Sequence, residues 1–325
     1  MKGRYLIAIV AVAALAVAGL GDARAQTYPS KPIRLIVPFA PGGSTDIIAR
    51  AISSALGMQL GQAIVIDNKG GAGGAIGTVE MVRAAPDGYT LLMVTPSITA
   101  ANPAINPNIT YDPVSDFTTI INVAAAPTAL AVHPSFPARD YASFVAELKR
   151  NPGRYSYASS GVGGILHLQM EVLKSLTGTN ITHIPYRGSG PALLDVAAGQ
   201  VAIAYDSTPS LLPYINDGRL IPIAVSGTKR IKELPDLPTF KEAGFDGLNR
   251  TSHFGIVGPK GLSRNLVDQI NAATRRALDE PAVGARIEGI GAAIVASTPE
   301  EFAADIKAEY EQLKKVVAEQ KLTLE

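Results

Sequence analysis

The chain has no cysteine and no tryptophan among its 325 residues, and aromatic residues make up only 6%. Without cysteine there is no disulfide, no thiolate metal site and no thiol nucleophile, which suits an oxidising compartment where stray thiols are a liability. Histidine is scarce as well. His133, His167, His183 and His253 are dispersed and form no H-E-x-x-H pair, so no metal site is expected. There is no Gly-Lys dipeptide for a Walker A loop and no G-x-S-x-G nucleophile elbow. The nearest approach to a dinucleotide fingerprint runs from Gly71 to Ile76, and Ile76 stands where the third glycine belongs. No cofactor is expected. A charge excess is also missing: 29 basic residues face 28 acidic ones. That balance offers no electrostatic footprint for nucleic acid or an anionic membrane surface.

What is present begins at the N-terminus. Lys2 and Arg4 precede an apolar run from Tyr5 to Leu20, and Ala23-Arg24-Ala25 forms a small-x-small site before Gln26. This reads as a cleavable secretory signal peptide over residues 1–25, the alternative being an uncleaved anchor. No Cys follows the site, so a lipid anchor is not expected. Removing these residues takes away three basic groups and one acidic group, leaving 26 against 27, a net −1. No later stretch is apolar enough to span a bilayer.

The remaining 300 residues exceed what one core usually holds. They are punctuated by many of the chain's 31 Gly and 23 Pro. Ile33–Val37 reads as a buried strand, followed by the turn Pro41–Asp46 and a helix from Ile47. Strands at 63–67 and 89–95 enclose a helix at 78–84, giving successive βαβ units and a parallel sheet. The pattern then repeats: helix 139–150 capped by Asp140, strand 155–158, helix 165–176, strand 181–185, helix 192–198, strand 201–205, helix 210–216 and strand 220–226. A strand at 254–257 and amphipathic helices near 265–278 and 299–320 follow. The expected fold is α/β with two lobes and mostly parallel sheets. The chain crosses between them near 124–132 and 244–254, and the last helices pack back on the first lobe. Lobe 1 is therefore expected at 26–126 plus 250–325, and lobe 2 at 127–249.

One device recurs. A strand ends in a small-residue turn that opens directly into a helix, at Pro41–Asp46, Ser159–Gly164, Gly188–Pro191 and Asp206–Pro209, with a fifth version at Gly70–Gly77. Each helix start leaves free backbone N–H groups at the positive end of a dipole. Glycine allows a ligand to approach the backbone, and Ser and Thr add donors. Such turns lie at the carboxyl ends of parallel strands, where ligands bind. Two lobes presenting them across a cleft form a clamp for a carboxylate or a small oxyanion. Taken singly, each turn is ordinary helix capping. Arg187 is the one cation beside a turn, and it either touches the ligand or braces its lobe. His167, one turn into a helix, either lines the cleft or packs that helix. Asp46 and Asp206 are the only carboxylates in these turns, and capping or loop bracing accounts for both.

These segments resemble the Bug/TctC family, the extracytoplasmic substrate-binding receptors of tripartite tricarboxylate transporters. The matching residues are Tyr28–Ile33, Val37–Asp46, Asp67–Gly74, Ala85–Leu91, Ile184–Gly188, Gly199–Val201 and Phe240–Phe245, spread over essentially all of the chain after residue 25. The resemblance implies a two-lobed periplasmic-binding-protein fold, type II-like, that closes on its ligand, and a periplasmic, monomeric, non-enzymatic protein. It implies a small organic carboxylate as ligand and the membrane subunits of a transporter as partners. Its ligand loops map onto Phe39, Ala40, Gly42, Gly43, Ser44 and Thr45 and onto Ser160, Gly161, Val162, Gly163 and Gly164. Ser97, His167, Asp206 and Ser207 complete the implied site. Two departures stand out. Gly164 and Leu166 replace hydroxyl residues common in the family, and Ser252-His253-Phe254 occupies a region that usually carries Trp. Both point to a ligand other than a highly hydroxylated tricarboxylate. A sensory receptor and an exported hydrolase or isomerase are the competing readings.

Overall fold

The computed structural model describes residues 28–245, 250–320 and 322–324. The expected signal segment lies outside them. β1 (Ile33–Val37) is apolar except for Arg34, and the chain then turns into α1 (Ser44–Leu60). β2 (Ile64–Asn68), α2 (Ala75–Val82) and β3 (Thr90–Val94) follow. β1 pairs in parallel with both β2 and β3, as two consecutive βαβ units require. A π-helical turn, Ser97–Ala101, leads into the short α3 (Asn102–Ile105).

The next strand organises the molecule. β4 (Phe117–Val132) is 16 residues long. Phe117–Pro127 pairs antiparallel with β9 (Thr251–Pro259), and Thr128–Val132 lies between β7 (Ile203–Ser207) and β8 (Ile221–Val225). The handover falls at Pro127, which has no N–H to give to a ladder. The second half of the chain supplies α4 (Tyr141–Arg150), β5 (Ser156–Ser159), α5 (Ile165–Thr177), β6 (Thr182–Pro185), α6 (Ser189–Ala197) and α7 (Thr208–Asn216). After β9 come α8 (Arg264–Leu278), α9 (Pro281–Gly289), the two-residue β10 (Ala293–Ile294) and α10 (Pro299–Glu319).

The strand order is β2-β1-β3-β9-β4-β7-β5-β6, with β8 and β10 also on β4. One sheet runs from β2 to β4, the other from β4 to β6. Outer strands pair in parallel, whereas β9, β4, β7 and β8 meet antiparallel. The sheets are therefore more mixed than the βαβ pattern predicts. A chain that crosses to the second lobe and returns must run both ways through the junction.

Packing follows the two sheets. Ile48, Ile52 and Leu56 of α1 and Ile270 and Ala273 of α8 bury against the first sheet. The spacing i, i+4, i+8 puts the α1 residues on one face. α10 bridges the lobes: Phe302 and Ile306 join a core with β1, β3 and β9, and Leu313 joins the core under the second sheet. Phe302 reaches full burial because Gly255 opposite has no side chain; a Cβ there would come within 2.2 Å of the ring. Burying such a ring contributes roughly 1.5–3 kcal/mol. Among the described residues no helix is long and apolar enough to cross a membrane.

Candidate functional site

A narrow cavity lies where the two sheets face each other. Its lining is Phe39, Gly43, Ser44, Thr45, Thr95, Ser97, Ser160, Ile165, Leu166, Ser189, Asp206, Ser207, Ser252 and Phe254. Eight of these carry hydroxyls, four are large and apolar, and one is charged. Four helices begin at this lining: α1 behind Gly43, α5 at Ile165, α6 at Ser189 and α7 behind Ser207. None of the four has a side-chain cap. Of the remaining helices, α4, α8 and α10 are capped by Asp140, Ser263 and Thr298, while α2, α3 and α9 also lack a side-chain cap. Uncapped first turns keep donors for something other than the helix's own residues.

Part of that supply is used between the lobes. Ile165 donates its amide to Ser97 Oγ at 3.0 Å, and Ser210 donates its amide to Ser44 Oγ at 3.1 Å. The Ser44 and Ser210 hydroxyls are themselves bonded at 2.9 Å. Ala40 donates to the Arg187 carbonyl at 2.9 Å. The lobes are thus in contact around the cavity, with the loops that line it drawn together. At α1, the N-cap Gly43 and the first-turn residues Ser44 and Thr45 line the cavity directly, so the positive end of this helix faces it.

The two carboxylates differ in kind. Asp46 turns away from the cavity. Burial works against its charge, but hydrogen bonds from Arg50, the Gly42 amide and Asn68 outweigh burial and hold its carboxyl below the usual range. Asp206 lines the cavity and is 3% exposed. Burial pushes its carboxyl up to about 6, against the lowering effect of bonds from Ser189, the Ser207 amide and Ser210. No cation lines the cavity beside it.

Of the residues singled out in the sequence, Phe39, Gly43, Ser44, Thr45, Ser97, Ser160, Asp206 and Ser207 converge on this cavity. Ala40 and Gly42 sit just behind its wall, their amides engaged by Arg187 and Asp46. The loop from Gly161 to Gly164 departs from the expected use of its backbone. Gly161 donates to Ser159 Oγ at 3.1 Å, Gly163 to His167 Nδ1 at 3.2 Å and Gly164 to the Gly161 carbonyl at 3.3 Å. These amides shape the loop. Val162 and His167 line a second cavity behind it, with Glu171, Lys174 and His183. The His167 and His183 rings stack there with centroids 4.1 Å apart. Burial first, then the neighbouring His167 and Lys174, push the His183 imidazole down to about 3, so it stays neutral near pH 7. The exposed Arg187 is not among the residues that line the first cavity.

Six further residues line the cavity: Thr95, Ile165, Leu166, Ser189, Ser252 and Phe254. Ser189 lies in the Gly188–Pro191 turn, and Leu166, Ser252 and Phe254 lie at the two departures from the family pattern. Ser252 and Phe254 are two apart on β9 and so share a face. His253 between them points the other way, within 3.2 Å of Thr99 Oγ1 and 3.3 Å of Glu309. Among the described residues no group of His, Cys, Asp and Glu is arranged to hold a metal ion.

A family model described as "Tripartite tricarboxylate transporter family receptor" matches residues 48–322. Protein BugT of Bordetella pertussis is 34% identical, over 98% of this chain and 98% of its own. A solved periplasmic transporter superposes with a TM-score of 0.90 at 48% identity, covering 92% of this chain and 100% of its own. An R. palustris protein solved with adipate gives 0.87 at 33% identity, over 91% of this chain and 99% of its own. MatC from Rhodopseudomonas palustris, solved with bound malate, gives 0.87 at 31% identity, over 89% of this chain and 100% of its own.

Proposed function

The chain belongs to the tripartite tricarboxylate transporter receptor family, the Bug/TctC receptors, and from that premise we propose that it is an exported receptor that closes two lobes on a small organic carboxylate and hands it to the membrane subunits of a transporter. Lobe 1 comprises residues 26–126 plus 250–325, lobe 2 comprises 127–249, and residues 1–25 are removed on export to the periplasm. One observation carries the reading: four helix starts without side-chain caps open on one hydroxyl-rich cavity. Neutral donors hold an anion without the deep well of a cationic pocket, so release remains easy. A carboxylate seated at Gly43, Ser44 and Thr45 on one lobe, with Ser160 and Ser189 on the other, favours the closed form because it bonds both.

The cavity suits a compact acid with few hydroxyls. Phe39, Ile165, Leu166 and Phe254 leave apolar surface beside the donors. Malate and adipate, bound by the two relatives, are the first candidates. No catalytic step is assigned: Asp206, the one carboxylate in the cavity, already takes three hydrogen bonds.

The test is a thermal-shift screen of residues 26–325 against malate, adipate, simpler mono- and dicarboxylates, amino acids, aromatic acids and citrate. A ligand at a hundred times its dissociation constant adds about 2.7 kcal/mol of stability. A small mono- or dicarboxylate raises Tm and is recovered chemically unchanged. Tight binding of citrate alone overturns the assignment of ligand class, and a chemically altered ligand overturns the receptor reading in favour of an enzyme.

A further inference from the structure

Gly190 is the second residue of α6. Its φ is not among the positive values that favour glycine, so its backbone is one any residue adopts. Alanine is the better helix former at such a position. The reason for glycine lies across the cleft. A Cβ built on Gly190 would meet the Pro41 carbonyl oxygen at 2.0 Å, the Pro41 carbonyl carbon at 3.1 Å and the Gly42 carbonyl carbon at 3.4 Å. These three nearest atoms all belong to the facing turn, and all are backbone, so no side chain can swing aside. Non-bonded atoms settle near 3.5 Å, and 2.0 Å is far inside that separation. The approach is mutual, for a Cβ on Gly42 would lie 3.6 Å from the Gly190 Cα.

From this geometry we propose that Gly190 is a residue that permits closure: its bare Cα lets the start of α6 seat on the Pro41–Gly42 turn, and any side chain there holds the lobes apart. Gly190 is a positioning residue. It does not line the cavity, but its neighbour Ser189 does. The inference rests on the reading of the protein as a closing receptor. It adds that one methyl group separates a folded protein that closes from a folded protein that cannot.

The test needs no knowledge of the ligand. The chain has no cysteine, so the double variant Ser44→Cys/Ser210→Cys carries the only two thiols. The hydroxyls they replace are 2.9 Å apart across the cleft, close to the reach of a disulfide. Its oxidation rate in ligand-free protein reports visits to the closed arrangement. Adding Gly190→Ala slows cross-linking by about tenfold or more, with circular dichroism and Tm at or above the parent's. Adding Gly289→Ala, where a built Cβ meets nothing within 4 Å, leaves the rate unchanged. Equal rates with and without Gly190→Ala overturn the proposal and leave the receptor reading standing. Slow cross-linking together with lost helical signal also overturns it, because the glycine is then a folding requirement. A parent pair that never cross-links overturns the closing receptor itself.

Discussion

Burying Asp206 costs stability, and the cost depends on pH in a direction that can be worked out. In the unfolded chain its carboxyl titrates near the ordinary 3.8, and in the folded protein near 6. A raised carboxyl favours folding while it is protonated. Its contribution is fully present below pH 3.8 and is lost as pH rises through 6. At 1.36 kcal/mol per tenfold change, the difference between 3.8 and 6 corresponds to about 3 kcal/mol. At 3% accessibility the carboxylate gains almost no screening from solvent. Asp206→Asn keeps the shape and removes the titration. Unfolding free energies of wild type and variant, measured by denaturant from pH 4 to pH 8, isolate the group, since every other titration cancels in the difference. Wild type minus variant should fall by about 2 kcal/mol over that range, most steeply between pH 4 and pH 6, the remainder of the ~3 kcal/mol lying below pH 4. Two parallel curves would refute the argument and show that Ser189, the Ser207 amide and Ser210 stabilise the charge fully.

Two further substitutions separate binding from folding. Thr45→Val removes a cavity hydroxyl at constant shape. For the acid that raises Tm most in the screen, calorimetry should show a loss of about 1.5–3 kcal/mol of binding with the ligand-free Tm unchanged; undiminished affinity would remove Thr45 from the site. Thr298→Ala strips the cap of α10, whose Thr298 and Glu301 each bond the other's amide. It should cost about 1 kcal/mol of stability, read by denaturant midpoint, and leave affinity untouched; a loss of affinity without a loss of stability would contradict this division of roles.

The sequence made local signals plain and long-range ones obscure. Ile33–Val37 and Asp140 as a cap stand in the structure where propensity and capping chemistry put them, whereas the helix expected from Ile47 already begins at Ser44, inside the expected turn. The strand Phe117–Val132 did not read as one, because its ends bury in different sheets and Ala124–Pro127 at its centre carries little strand propensity. α2 and α6 begin three residues earlier than their apolar spacing suggests, since glycine-bearing first turns hide a helix start. For the site, turn chemistry located Gly43, Ser44, Thr45 and Ser207. It could not tell that the amides of Gly161 and Gly163 are taken by Ser159 and His167, because those partners are set by side-chain direction. The Gly188–Pro191 turn likewise brought Ser189 into view, whereas Thr95, at the end of a strand, enters the cavity through the way the lobes meet, which spacing along the chain does not encode.

The place of β9 has a consequence for how the molecule comes into being. It lies between β3 and β4, so the sheet begun at Ile33 keeps an empty slot at its centre until residues 251–259 arrive. A chain emerging from the ribosome N-terminus first cannot complete that layer early, however many of its units are already made. The first sheet therefore stays incomplete for most of the chain's synthesis, and its core closes only when the last third of the polypeptide is in place.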